Sequence, residues 1–205
     1  KLGDPIGATP YLERVLKLDP GNERAFLRLK DILTAAERWS ELESLYDGAA
    51  AATDDPVRKS EMLVEVALVC EEIIDDAAKA TRHYERILEL EPSHDGAVRA
   101  LDRLYGRLER HEDLAGLLGR RVELATGDEL LEIELRLARI ELDRLHRPER
   151  AIGHVEHVLR ERPNDYDARE VAEKLLGIGS MRGRAAKILE GVYEARDEVR
   201  DLVRV

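Results

Sequence analysis

The chain has 205 residues, 43% of them hydrophobic, 38% charged and 4% aromatic, and 44 acidic against 33 basic side chains give it a net charge of −11. That charge argues against nucleic acid as the main partner, because a phosphate backbone is repelled by an acidic surface. No apolar run approaches the roughly 18 residues a membrane-spanning helix needs, and no segment reads as a signal peptide, so none is expected.

In chain order, apolar residues recur at three- and four-residue spacing, which predicts helices over 5–18, 22–35, 39–52, 56–74, 77–90, 94–107, 111–126, 129–145, 149–161, 165–177 and 181–195, with a truncated helix from about 197. Trp39, Leu42, Leu45, Tyr46 and Ala49 form one stripe; Ala97, Val98, Leu101, Leu104, Tyr105 and Leu108 form another. Helix starts are expected at Asn22, at Asp55 before Pro56, at Ser93 and at Asn164. No stretch alternates with period two. Short connections force neighbouring helices to run antiparallel, so the expectation is an all-α solenoid.

Three near-copies of one phrase set its period: YLERVLKLDPGNERAFLRL from Tyr11, HYERILELEPSHDGAVRAL from His83 and HVEHVLRERPNDYDAREVA from His154. Their prolines, Pro20, Pro92 and Pro163, lie 72 and 71 residues apart. Ala25, Ala97 and Ala168 match across the copies, as do Ala8, Ala80 and Ala151, and Leu42, Leu114 and Ala185. Two helix pairs fill each period, so the elementary unit has about 36 residues.

The unit from Glu23 places Phe26, Leu29, Leu33, Trp39, Leu42, Tyr46 and Ala49 where a tetratricopeptide repeat (TPR) wants its aromatic, apolar and small residues. Pro20, Pro92 and Pro163 stand at the repeat's closing proline. The chain therefore resembles the TPR family over its whole length. Its repeats are degenerate: Lys30, Asp102 and Glu173 replace a small residue, and the units starting near Ser60 and Leu131 carry one extra residue. The resemblance implies a right-handed α-solenoid of about 11–12 helices in a single domain, 1–205. Its parts are the second helix of a truncated unit (1–21), five units (22–54, 55–92, 93–126, 127–163 and 164–196) and the start of another (197–205).

It also implies that the first helix of each pair lines a concave groove where a protein or peptide is held. Carried over residue by residue, this places Arg99, Arg103 and Arg107 in one row, with Arg136 and Arg139 from the next unit and Arg28 earlier in the chain. Such guanidinium groups suit bidentate binding of an acidic segment or a C-terminal carboxylate. The row partly resembles the carboxylate clamp of chaperone-binding TPR proteins, with Arg99 and Arg136 at two clamp positions, but Asp167 and Val171 break the match. An internal lattice with acids such as Asp102, Glu132, Asp143, Glu65 and Glu72 is the competing reading. Glu61, Glu65, Glu71 and Glu72 would give the preceding stretch of groove the opposite sign.

No catalytic constellation is legible, so no enzyme activity, cofactor or metal is expected. Gly177, Gly179 and Gly183 fit a helix-ending turn rather than a phosphate loop. His154 and His157, with Glu161 a turn on, could supply metal ligands, but the pair is not repeated: Arg86 takes the place of His157 in the previous copy. Cys70 stands at a core position and reads as a buried thiol. A single cysteine suits a reducing, cytoplasmic setting. The chain starts without Met and ends inside a repeat, so it is expected to be part of a longer protein. The leading expectation is a protein–protein interaction scaffold. The alternative is a spacer, regulatory or self-association segment with no peptide ligand of its own, in which Val199, Leu202 and Val203 begin a helix without its partner.

Overall fold

Hydrophobic stripes at helical spacing become eleven α-helices in the computed structural model, which describes residues 6–195. After a 3-10 turn at Ile6–Ala8 come α1 (Thr9–Leu18), α2 (Glu23–Ala35), α3 (Trp39–Ala52), α4 (Pro56–Leu68), α5 (Ala77–Leu90) and α6 (Asp95–Arg107). Then follow α7 (His111–Val122), α8 (Gly127–Arg139), α9 (Pro148–Glu161), α10 (Tyr166–Leu176) and α11 (Arg182–Ala195). There is no strand among the described residues. Val199, Leu202, Val203 and the helix expected from about 197 lie outside them.

Side-chain caps mark the starts of α2, α4, α5, α6 and α10. Asn22 and Asp55 cap α2 and α4 as expected, accepting from the backbone N–H of Ala25 and Val57. Elsewhere the cap falls one residue later than the sequence suggests. His94 caps α6 through Nδ1 and Asp165 caps α10, so Ser93 and Asn164 stay outside. Asp76 caps α5. The helix expected to reach residue 126 stops at Val122, where the N–H groups of Leu124 and Ala125 turn back to the Arg121 carbonyl.

The extra residue in two of the units has a definite place. After α4 the chain continues as a π-helical turn, Val69–Ile73, and after α8 as another, Ile140–Arg144. The bonds from Ile74 N–H to Val69 O and from Leu145 N–H to Ile140 O, each 3.0 Å, span five residues instead of four. A π-turn absorbs one residue without ending the helix, but it rotates the side chains beyond it.

Internal packing divides the chain into two compact units, Lys1–Leu108 and Glu109–Val205. In the first, Leu29, Leu33, Leu42, Leu63, Ile87 and Leu101 are fully buried. In the second, Ile152, Val155, Leu175 and Leu189 form the centre of a continuous cluster. Ala25, Ala97 and Ala168 are all buried, as are Leu42, Leu114 and Ala185. These repeated residues lie in the core, as do Ala80 and Ala151, while Ala8 of the same set is only half-buried.

Charged residues at the usual small position are accommodated by hydrogen bonds. Lys30 donates to Glu65, and Glu173 accepts from the Tyr193 hydroxyl at 3.0 Å. Tyrosine–carboxylate bonds recur, from Tyr46 to Glu65 and from Tyr105 to Glu85.

The first helix of a pair ends in the left-handed region at Glu37, Asp75, Glu109 and His146, with φ of 53°, 57°, 54° and 54°. A residue with a Cβ costs roughly 1–2 kcal/mol there, and glycine removes most of that penalty while adding some unfolded-chain entropy. Glu37 and His146 are exposed. Glu37→Gly and His146→Gly are therefore each expected to stabilise the protein by about 0.5–1 kcal/mol, measured by urea denaturation. A loss of stability in both would show that these turns bear no strain.

Candidate functional site

In the first unit the arginine row lies on α6. Arg103 sends Nη2 to Glu71 Oε1 at 2.5 Å, and Arg107 sends Nη2 to Asp75 Oδ1 at 2.7 Å. Both acids belong to the π-turn region after α4, one helix pair earlier. Glu71 also accepts from the Tyr84 hydroxyl at 3.3 Å, and burial, then Glu71, push that phenol up to about 12. Arg99, one turn nearer the start of α6, is exposed and has no ion pair among the described residues. The same holds for Arg28 on α2. Its neighbour Lys30 is bonded to Glu65 Oε2 at 2.5 Å.

In the second unit Arg139 pairs with Asp167 at 3.0 Å. Arg136 is exposed and takes part in an interaction within the protein. Val171 is buried in the core of this unit. The acids that hold Arg103, Arg107 and Arg139 are Glu71, Asp75 and Asp167. The π-turn decides two of them, because it redirects Glu71 and Asp75 relative to a continuous α-helix.

Sequence spacing missed a cluster in the first unit. Cys70, in the π-turn, is fully buried; His83 on α5 is nearly so, and Glu43 on α3 is half-buried. One ligand-capable atom from each of the three lies within 4.8 Å of the others. His83 Nε2 is 3.4 Å from Glu43 Oε1, and Nδ1 is 3.9 Å from Asp47 Oδ1. Lys79 holds Glu43 Oε2 at 2.6 Å. Burial pushes the Cys70 thiol up to about 11, with Glu43 adding to the effect. Burial also lowers His83 below the ordinary imidazole value, outweighing Asp47 and Glu43.

The second unit uses the same places differently. Glu141 stands where Cys70 does, His154 where His83 does, and Ala115 and Gly119 where Glu43 and Asp47 do. The small residues leave a groove of about 650 Å³ lined by Glu141, Arg147, Arg150 and His154. Glu141 is buried, with Arg150 at 3.5 Å and Arg147 at 3.9 Å. His154 and His157 both turn their Nδ1 to the buried Glu134. Glu161 is not with them: it is exposed and faces Arg160 at 3.7 Å. The only signal for these clusters in the sequence is the 71-residue offset between Cys70 and Glu141 and between His83 and His154.

Two apolar grooves occupy equivalent places in the two units. One, about 610 Å³, lies among Leu16, Pro20, Phe26, Leu45 and Gly48. The other, about 370 Å³, lies among Leu159, Pro163, Ile188 and Gly191. No described helix is long and apolar enough to cross a membrane.

No protein-family model and no curated protein matches the sequence. Solved structures do match. The structure of Naa15/Naa10 bound to HypK-THB aligns with a TM-score of 0.53 at 16% identity, over 99% of this chain and 31% of that one. YrrB, described as a TPR protein with an unusual peptide-binding site, aligns with a TM-score of 0.46 at 15% identity, over 89% of this chain and 91% of its own. TTC0263, a thermophilic TPR protein of Thermus thermophilus, gives 0.37 at 20% identity, over 85% and 92%. The likeness is one of fold. The described residues are all-helical, in antiparallel pairs that repeat every two pairs on a buried Ala and Leu framework, and the chain has a TPR-like helical-repeat fold.

Proposed function

We propose that the chain is a protein–protein interaction scaffold rather than an enzyme, and that the first-helix face of its first unit receives an acidic segment or C-terminal carboxylate of a partner. The observation that carries this reading is the difference among the arginines. Arg103, Arg107 and Arg139 already hold carboxylates. A partner's acid could reach them only by exchange, with little net gain. Arg28 and Arg99 are exposed without an ion pair among the described residues, so a carboxylate bound there adds a charge-assisted bond instead of replacing one. Solved relatives in fold lend general support: one is named for a complex with HypK-THB and another for its peptide-binding site.

The internal pairs favour the spacer reading, and one experiment separates the two. Wild-type protein and the Arg28→Glu/Arg99→Glu variant, both shown folded by circular dichroism, serve as baits for lysate of the source cells. A specific protein lost from the variant eluate, and weakened by added salt, is the expected result. Identical eluates would leave the spacer reading standing.

A further inference from the structure

We propose that Glu43, Cys70 and His83 form a binding site for a divalent metal ion of the zinc class. Thiolate, imidazole and carboxylate are the three donor types that zinc accepts, and three protein ligands with a water complete a tetrahedron. Here they come from three separate elements, α3, the π-turn and α5, and their donor atoms converge within 4.8 Å. Ligand atoms on a tetrahedral ion lie closer than that, so the three side chains draw together when the ion binds.

A second observation concerns how the ring presents its two nitrogens. The His83 side chain is 5% exposed, and its Nδ1 has no hydrogen-bond partner among the described residues. Buried imidazole nitrogens ordinarily find a partner. The ring lies between Glu43 Oε1, 3.4 Å from Nε2, and Asp47 Oδ1, 3.9 Å from Nδ1, so Nε2 faces the carboxylate of the site and Nδ1 is the nitrogen left for Asp47 to orient.

The surroundings assign roles to the neighbours. Lys79 occupies Glu43 Oε2, which leaves Oε1, the oxygen beside His83, for the metal. Arg86 holds Asp47, keeping that carboxylate at the rim as an orienting group. The π-turn sets the direction of Cys70, and such turns recur at functional positions. On binding, the metal–sulfur bond forms as the thiol gives its proton to solvent, so one proton is released for each ion taken up. The second unit has Ala115 at the place of Glu43 and Glu141 at the place of Cys70. It lacks the thiol and is the internal control.

The test is a titration of chelator-treated whole chain with Co²⁺ and with Zn²⁺. Wild-type protein is expected to take up one equivalent of Co²⁺ with a thiolate-to-cobalt charge-transfer band and tetrahedral d–d absorption. Zn²⁺ is expected to displace the cobalt and to raise Tm. Cys70→Ala and His83→Gln are each expected to lose about tenfold or more in affinity, and Cys70→Ala also loses the charge-transfer band. His154→Gln/His157→Gln should leave binding intact. The proposal is overturned if wild-type protein binds no stoichiometric Co²⁺, or if the bound ion shows no thiolate band. Binding that survives Cys70→Ala but is lost in the His154→Gln/His157→Gln variant would place the ion at Glu134 and overturn it equally. Because the wild-type spectrum alone can refute the site, a variant that fails to fold does not shield it.

Discussion

Leu101→Ala is expected to destabilise the protein by about 2–5 kcal/mol in urea denaturation. Leu101 lies on α6 with none of its surface exposed, in the stripe of Ala97, Ala100, Leu104 and Tyr105. Truncation removes three carbons from a close-packed layer whose neighbours belong to helices fixed at both ends, so the cavity cannot collapse fully. Leu29→Ala on α2, at 2% exposure, should behave alike. Arg99→Ala, only two residues from Leu101 but on the outer face, should shift stability by less than about 0.5 kcal/mol. If Leu101→Ala and Arg99→Ala lay on the same denaturation curve, the assignment of inner and outer faces on α6 would be wrong. Repeat arrays spread their stability over local contacts. The loss should therefore appear first as faster amide exchange in α5 and α6, and only later in α10 and α11.

That contrast between two residues on one helix also shows what the sequence could and could not reveal. Helix positions and the core were legible because both are periodic. A buried stripe repeats every three or four residues, and Ala25, Ala97 and Ala168 mark the same layer in three copies. Capping was legible to within a residue. His94 caps α6 instead of Ser93 because its ring nitrogen reaches the Ala97 N–H from one residue closer. The side-chain partners were another matter. The extra residue in two units was visible as a count, but a count does not reveal that it enters as a π-turn, or which way Cys70, Glu71 and Asp75 then point. Glu43, Cys70 and His83 are scattered over forty positions of sequence and meet only when three elements pack. Spacing along one helix singled out His154, His157 and Glu161 instead, and the fold draws the two histidines to Glu134 on α8. Charge on a first-helix face was legible. Whether each charge was already matched was not, because the matching acids lie 28 to 32 residues away.

Tyr46 carries the second large effect, because several interactions meet on one ring. It is 2% exposed, packs edge-on against Phe26 with centroids 5.4 Å apart at 81°, and lies 5.5 Å beneath the Lys30 ammonium. Its hydroxyl donates to Glu65 Oε2 at 2.5 Å, the same oxygen that Lys30 reaches. Tyr46→Ala should cost about 3–5 kcal/mol, as for other buried aromatics. Tyr46→Phe keeps the ring and removes only the hydroxyl bond. Glu65 is half exposed and can turn to water, so that change should cost only about 1 kcal/mol.

The pH dependence of the smaller effect identifies its source. Burial alone would raise the Glu65 carboxyl, but the hydrogen bonds from Lys30 and Tyr46 and the lysine's charge outweigh it and hold the group below its ordinary value of 4.5. A depressed carboxylate adds stability above its unfolded value and loses it as pH falls. Burial opposes the charge on Lys30, yet its bonds to Glu65 and Tyr46 raise it to about 12, while burial and Glu65 raise the Tyr46 phenol to about 12. Both raised groups add stability below their unfolded values of 10.5 and 10.0, and lose it as pH climbs toward 12. The difference between wild type and Tyr46→Phe should therefore be flat from about pH 5 to pH 9 and shrink below about pH 4, as Glu65 takes up a proton. A difference that stayed constant down to pH 3 would mean that the hydroxyl stabilises the fold through packing alone, and that the bond to Glu65 contributes nothing.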